Sequence, residues 1–490
     1  MIEILRRFRR PLAVVTGGAV ALALVSTANA QEPEDSIADL TAAIDTAWLL
    51  IAAFLVFFMQ AGFAMVEAGF VRSKNVANIL MKNMMDVGIG AIAFWAIGWG
   101  LAYGNPDSAG GLFGDGNFFL SGFSDWASWI FQFAFAATAA TIVSGAMAER
   151  TAFRGYLFYT VFITAIIYPV VVHWTWDGNG WLTAFKDDPI GTNGYLDFAG
   201  SGVVHMVGGF AGLTGAIVVG PRLGKYRDGR VNPIPGHSLS MAVLGMFILW
   251  FGWYGFNPGS TLGLSGGLYE LAAKVAVNTT LAAGAGLVAI SFLSKLRTGK
   301  FDPGLSVNGA LGGLVAITAP CAAVDPWAAV VIGLIAAPIV LIGVEGLDRL
   351  HVDDPVGAVS VHGLAGLWGV LSVGLFATQD GVLAHAGVEE SSAYGLFMGG
   401  GVEQLGIQAL GALAIIAWTV ATSGLLFLAI KLTVGLRATE EEEIRGLDVY
   451  EHGIEAYPYF EQAPDIGSPF AGVGVLHQSA PGTPASGGND

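Results

Sequence analysis

The sequence predicts an all-α polytopic membrane protein of eleven transmembrane helices, in which a second block of five repeats the first in inverted orientation. Three observations carry that prediction. The 490 residues are 54% hydrophobic and only 12% charged, with 70 glycines, far from the composition of a soluble globular chain. Apolar stretches long enough to span a bilayer recur about every thirty to forty residues. An aspartate followed eight residues later by a histidine occurs twice, at the fifth and at the tenth of these stretches.

Taken in order, the chain begins with Arg6, Arg7, Arg9 and Arg10, a short apolar run from Leu12 to Val25, and Ala28-Asn29-Ala30. This is the layout of a cleaved signal peptide over 1–30, followed by an acidic external leader over 31–44. The spans are expected at about 46–70, 84–103, 126–148, 156–177, 198–220, 237–257, 268–293, 304–321, 327–349, 356–377 and 404–434. Alternate loops carry the basic residues: Arg72, Lys74 and Lys82; Arg150 and Arg154; Arg222, Lys225, Arg227 and Arg230; Lys295, Arg297 and Lys300; Arg349. The other loops carry only Lys186. By the positive-inside rule the basic set is cytoplasmic, the amino end is outside, and the tail after Leu436 is inside. The net charge of −16 belongs to loops and tail and marks no nucleic-acid surface. Cys321 is the single cysteine, which excludes an intrachain disulfide and a cysteine-built metal site.

The repeated pattern is Asp197 with His205 and Asp354 with His362. Eight helical residues rise roughly 12 Å, which sets each histidine near the midplane of an apolar core about 30 Å thick. Because each copy closes a block of five spans, the second block is inverted, and the two histidines approach one point from opposite sides. Gly208, Gly212 and Gly215, with Gly363, Gly366 and Gly369, allow close helix approach, as such glycines do in many membrane helices. Each aspartate stands at a helix start, where capping is an ordinary structural role. Glu67 is expected in a surface cluster with Arg72 and Lys74, and Lys274 is expected to pair with Glu270 one turn earlier. His173, His237 and His351 fall near span ends and are not expected on a pore.

The block DFAGSGVVHMVGGFAGLTGAIVVGP, Asp197 to Pro221, resembles the signature of the ammonium transporter (Amt) family. Further matching stretches, among them FAMVEAGFVRSKNVANILMKN, FQFAFAATAATIVSGAMAER, WFGWYGFNPGS, DDPVGAVSVHG and EEEEIRGLDVYEHGIEAYP, extend the resemblance from about Trp48 to Pro458. Ser201, where the usual signature has a second glycine, and Gly357, where some members have a further aspartate, depart from the pattern. The resemblance implies a homotrimer with one pore per subunit, a membrane domain over 45–437, a cytoplasmic regulatory tail over 438–459 that meets a PII-type regulator, and no cofactor. It also implies an outer vestibule of Phe131, Trp176 and Ser260 that recruits ammonium, or methylammonium as an analogue. A stacked gate of Phe135 and Phe256 with Trp253 beside it would come next, then the twin histidines His205 and His362 in a hydrophobic lumen conducting ammonia, or ammonium by deprotonation and reprotonation. Asp197 and Asp354 would be structural neighbours of that path. The multi-pass chain would lie in the inner membrane, and residues 460–490 read as a disordered extension. Against a pore stand a dedicated ammonium sensor, an intramembrane enzyme and a water or glycerol channel. The enzyme lacks a nucleophile–base or metal-ligand set at one depth, and the water or glycerol channel rests on one unpartnered Asn257-Pro258-Gly259. Trp176 and Ser260 favour the ammonium branch over the Rhesus-type branch.

Overall fold

The computed structural model describes residues 33–105, 109–387 and 390–457. The expected signal peptide and the C-terminal extension lie outside the described residues. The long helices are α1 (Pro33–Phe70), α2 (Ser73–Tyr103), α3 (Trp126–Ala146), α4 (Phe153–Trp176), α5 (Ser201–Val219), α6 (Leu239–Thr261), α7 (Leu268–Thr298), α8 (Pro303–Thr318), α9 (Pro326–Arg349) and α10 (Val359–Phe376). A short α11 (Gln379–Ala386) precedes α12 (Glu403–Thr433), and the tail forms α13 (Glu440–Arg445) and α14 (Leu447–His452).

Among the described residues, ten helices are long and apolar enough to cross a membrane, and the expected eighth span is α8, a shorter apolar helix. Its last expected residues, 319–321, turn away because Ser201 reaches across: Ser201 Oγ donates to Val315 O and accepts from Ala319 N, both at 2.7 Å. The first helix starts at Pro33, well before the expected 46, because helix geometry continues through the polar residues that precede its apolar stretch.

Burial sorts the helices into inner and outer. Residues 131–146 of α3 and most of α5 and α10 are enclosed, whereas α1, α6, α7 and α12 keep rows of large apolar side chains outward, such as Phe54 and Phe58, Phe247 and Phe251, and Leu425 and Leu432. An apolar exterior on an apolar interior suits lipid as the surrounding solvent. The inner helices meet at backbone distance. A Cβ on Gly209 of α5 would lie 2.2 Å from Gly363 N of α10, and one on Gly369 would lie 2.5 Å from Ala316 O of α8. The glycine spacing anticipated close packing, yet α5 meets the α10 backbone at Gly209 rather than at Gly208 or Gly212.

Two charge assignments change. Lys274 Nζ faces Asp325 Oδ1 at 3.7 Å rather than Glu270, since the chain returns after α8 to bring Asp325 beside α7. Glu67 is 2% exposed and bonds to Asn83 and Ser144. Arg72 instead pairs with Glu149 at 2.6 Å. His173 sits in the α2–α4 contact, its Nδ1 donating to Ala102 O at 3.0 Å.

Candidate transport conduit

Each copy of the aspartate–histidine pattern folds into the same local device. Asp197 Oδ2 accepts from the backbone N–H of Gly202 and Val203 at 2.8 and 2.9 Å, and its Oδ1 accepts from Gly200 at 3.0 Å. Asp354 Oδ1 accepts from Gly357 and Ala358 at 3.1 and 3.0 Å, and its Oδ2 from Val359 at 2.8 Å. Both carboxylates thus satisfy N–H groups that a helix start leaves unpaired. The chain must turn sharply to bring its N–H groups onto one carboxylate, and it does so at Gly200 (φ +107°) and Gly357 (φ +79°), where an L side chain is strained. Each helix then opens with one wide π-turn, Ser201–Met206 and Val359–Leu364, which holds its histidine.

The wide turns bring the two imidazoles together. His205 Nδ1 and His362 Nδ1 are 3.1 Å apart, with ring centroids 5.1 Å apart and planes 27° from parallel. Between two neutral rings, one Nδ1 carries the shared proton and the other accepts it. The outward Nε2 atoms are then unlike: the donor ring has a bare acceptor and the acceptor ring an N–H. His205 Nε2 is buried without a partner among the described residues.

Aromatic rings continue from the pair toward one end of the bundle. His205 stacks on Trp253 (5.2 Å, 23°) and on Phe256 (5.4 Å, 22°). Phe256 stacks on Phe135 at 4.1 Å and 26°, and Phe135 meets Phe131 at 4.6 Å and Trp176 edge-on at 6.0 Å. Trp253 is held by Nε1 donating to Thr318 Oγ1 at 2.9 Å, and Trp176 by Nε1 donating to Asp197 O at 2.8 Å. Beyond Phe135 opens a cavity of about 520 Å³, lined in part by Phe131, Phe135, Trp176 and Ser260. Ser260 Oγ donates to Phe256 O at 2.7 Å, which leaves its lone pairs for a donor in the cavity. Phe135, which lines this cavity, and Phe256, stacked on it, are both fully buried.

On the other side, His362 faces Phe63 at 6.0 Å and a small cavity of about 20 Å³ toward the tail end of the bundle. Ring contacts thus join Phe131, Trp176, Phe135, Phe256, Trp253, His205 and His362, with Ser260 on the larger cavity and Asp354 apart from the series at its helix start. Sequence reasoning missed Phe63, which in an apolar helix has the same signature as a lipid-facing residue. Gln132 and His385 were also missed: both line the larger cavity, and each has a buried polar atom without a partner among the described residues.

At the tail end, charges interlock. Arg222 donates to Asp353 Oδ2 at 2.8 Å and Oδ1 at 2.9 Å and pairs with Glu149 at 3.2 Å. Burial pushes both carboxyls up, but Arg222 with Arg72 at Glu149, and Arg222 with Arg150 at Asp353, outweigh it and hold both below the ordinary range. The tail docks onto this layer. Asp448 accepts from Ala77 N and Asn78 N at 2.9 and 2.8 Å at the start of α2, and Glu451 accepts from Phe153 N at 2.7 Å at the start of α4.

Residues 47–457 match the model of the Ammonium Transporter Family. The chain belongs to the ammonium transporter family. It is similar to the ammonium transporter Amt2 of Archaeoglobus fulgidus, 48% identical over 85% of this chain and 89% of that one. It is also similar to a putative ammonium transporter 1 member 5 of Arabidopsis thaliana, 44% identical over 85% and 86%. Among solved structures, a protein described as a sensor Amt protein superposes with TM-score 0.75 at 38% identity, covering 84% of this chain and 99% of that one. Candida albicans Mep2 superposes with TM-score 0.73 at 30% identity over 84% and 90%. This family member is therefore a multi-pass ammonium-transporting membrane protein, and transporters of this family are channels rather than enzymes.

Proposed function

We propose that the protein captures ammonium in the 520 Å³ cavity and passes ammonia along the aromatic series and the histidine pair. The carrying observation is the Nδ1–Nδ1 contact of His205 and His362 behind the stacked Phe135 and Phe256. At the vestibule, the indole face of Trp176 attracts the cation by about 0.5–2 kcal/mol, and Ser260 Oγ accepts one N–H. Stripping a full charge of water without replacement ligands is prohibitive in an apolar medium, so the floor of two phenyl rings passes the neutral form. Ammonium leaves its proton with vestibule water, NH4+ → NH3 + H+, and ammonia meets a donor and an acceptor on the unlike Nε2 atoms.

In this reading the tail end is cytoplasmic and the vestibule external, in the inner membrane. Three copies assemble through outer faces such as that of α12, each with its own conduit, and a PII-type protein reads the docked tail. A sensor that uses the same fold is the second reading. The resemblance to the sensor Amt protein and the tail locked onto α2 and α4 favour its consideration.

Methylammonium uptake by the purified protein in liposomes tests the first reading. Trp176→Leu is expected to raise the half-saturation concentration about fivefold, for roughly 1 kcal/mol of lost cation–π attraction, with maximal flux little changed. Unchanged concentration dependence would remove the recruitment role. No uptake by the unaltered protein would favour the sensor.

A further inference from the structure

Glu67 belongs to neither the vestibule nor the histidine pair, and its surroundings are unusual for a carboxyl group. It lies near the tail end of α1, 2% exposed, and the cations around it are engaged elsewhere. Arg72 bonds Glu149, Lys74 donates to the carbonyls of Glu443 and Ile444, and Lys82 donates to Thr151 O at 2.9 Å. Its Oε2 accepts from Asn83 Nδ2 and Ser144 Oγ, both at 2.9 Å. Its Oε1 accepts no hydrogen bond among the described residues. That oxygen lies on the side of Val356 and Ala358, since a Cβ on Gly145 would stand 3.3 Å from it, 2.5 Å from Val356 Cγ2 and 3.7 Å from Ala358 Cβ.

Glu67, Val356 and Ala358, together with Phe63, Asn308 and His362, line the small cavity on the tail side of the histidine pair. Its volume of about 20 Å³ exceeds the roughly 10–15 Å³ that one water needs, and ammonium is close to water in size. Asn308 Nδ2 donates to Val356 O at 3.2 Å, which leaves Asn308 Oδ1 as a second acceptor. An intramembrane carboxylate is costly unless a proton or a cation neutralises it, and Lys82 acts on Glu67 only through space, its ammonium being bonded to Thr151 O. A small cation carrying several N–H donors fits both the charge and the volume.

We propose that this cavity is a second ammonium site, with the Glu67 carboxylate as its counterion and Asn308 Oδ1 as a further acceptor. The proposal rests on the conduit reading above. Ammonia that has passed His362 takes a proton from tail-side water, NH3 + H+ → NH4+, and the ion is held by Glu67 before release. In the opposite direction the same site loads the conduit.

The test uses proteoliposomes of defined orientation and compares methylammonium transport supplied from the tail side with transport supplied from the vestibule side. Glu67→Gln keeps an oxygen for Asn83 and Ser144 but removes the charge. The expected result is a rise of at least tenfold in tail-side half-saturation, with vestibule-side half-saturation within twofold. Ser144→Ala, which leaves the carboxylate in place, is expected to stay within twofold on both sides. An unchanged tail-side value, or equal shifts from both sides, would overturn the proposal. Should Glu67→Gln yield no folded protein, Asn308→Leu carries the same test: a tail-side rise of at least threefold supports the site, and no rise overturns it. Unaltered protein that transports from neither side would instead refute the conduit reading itself.

Discussion

The Asp197–His205 and Asp354–His362 segments share one local design and face different surroundings. In each, a carboxylate gathers three backbone N–H groups, a glycine supplies the turn, and a π-turn sets the imidazole. His205 is then enclosed by Trp253 and Phe256, whereas His362 looks past Phe63 to the small cavity beside Glu67. The second segment alone is tied into the tail-end charges, because Asp353, adjacent to Asp354, is bound by Arg222 and by Arg150 through its carbonyl. A repeated backbone device thus gives the histidine pair its symmetry, and unrepeated neighbours give its two sides different surroundings.

The largest expected effect comes from the centre itself. His205→Asp and His362→Glu each place a carboxylate where two neutral rings share a proton, and potassium currents are expected to appear in protein of normal yield. Because the residues share a contact, the double substitution should depart from additivity by about 1 kcal/mol. A double-mutant cycle on uptake and cation currents, with folded yield as control, checks this. Additive losses of yield with unchanged selectivity would return both histidines to a packing role.

Arg222→Gln is next and should act on the second segment, through Asp353, and on the adjoining Glu149 pair, but not on the first segment. Breaking a buried pair leaves uncompensated charge and costs about 3–5 kcal/mol, read as a fall in thermal stability in detergent. Since Glu149 and Asp353 are held below the ordinary carboxylate range, their stabilisation is complete above that range. It is lost as pH falls through about 5 to 3 and toward their folded values. The unaltered protein should therefore lose stability on acidification over that window, while the variant should show a shallower decline.

The aspartates separate the segments more finely. Asp197→Ala and Asp354→Ala each strand buried N–H groups, at about 2 kcal/mol. Only the first should also raise the half-saturation concentration for methylammonium, because the Asp197 carboxylate fixes the turn whose backbone carbonyl, Asp197 O, accepts from Trp176 Nε1. Equal kinetic effects of the two would break the contrast between the ends.

Much of this molecule was legible in the chain because membrane helices announce themselves by uninterrupted apolar length, and α1 to α7, α9, α10 and α12 fall on the expected segments. The residues from Phe131 to His362 were legible through long motifs. Glu67 was misread because its sequence neighbours Arg72 and Lys74 are basic, and proximity along a chain says nothing about which way a helical side chain points. Lys274 was misread for the same reason: Asp325 is distant in sequence and adjacent only in the fold.

The amino-acid sequence by itself determined the class, the membrane solvent, the two aspartate–histidine segments and their common depth, since these follow from composition, period and helical rise. Tertiary structure alone decided that the imidazoles meet through Nδ1 at 3.1 Å, that Gly209 is the crossing point of α5 and α10, and that Glu67 turns inward onto Asn83 and Ser144. Those outcomes depend on how close two helices can approach and how each is rotated. Contacts between residues from 16 to 157 positions apart set both quantities, and no local pattern in the chain records them.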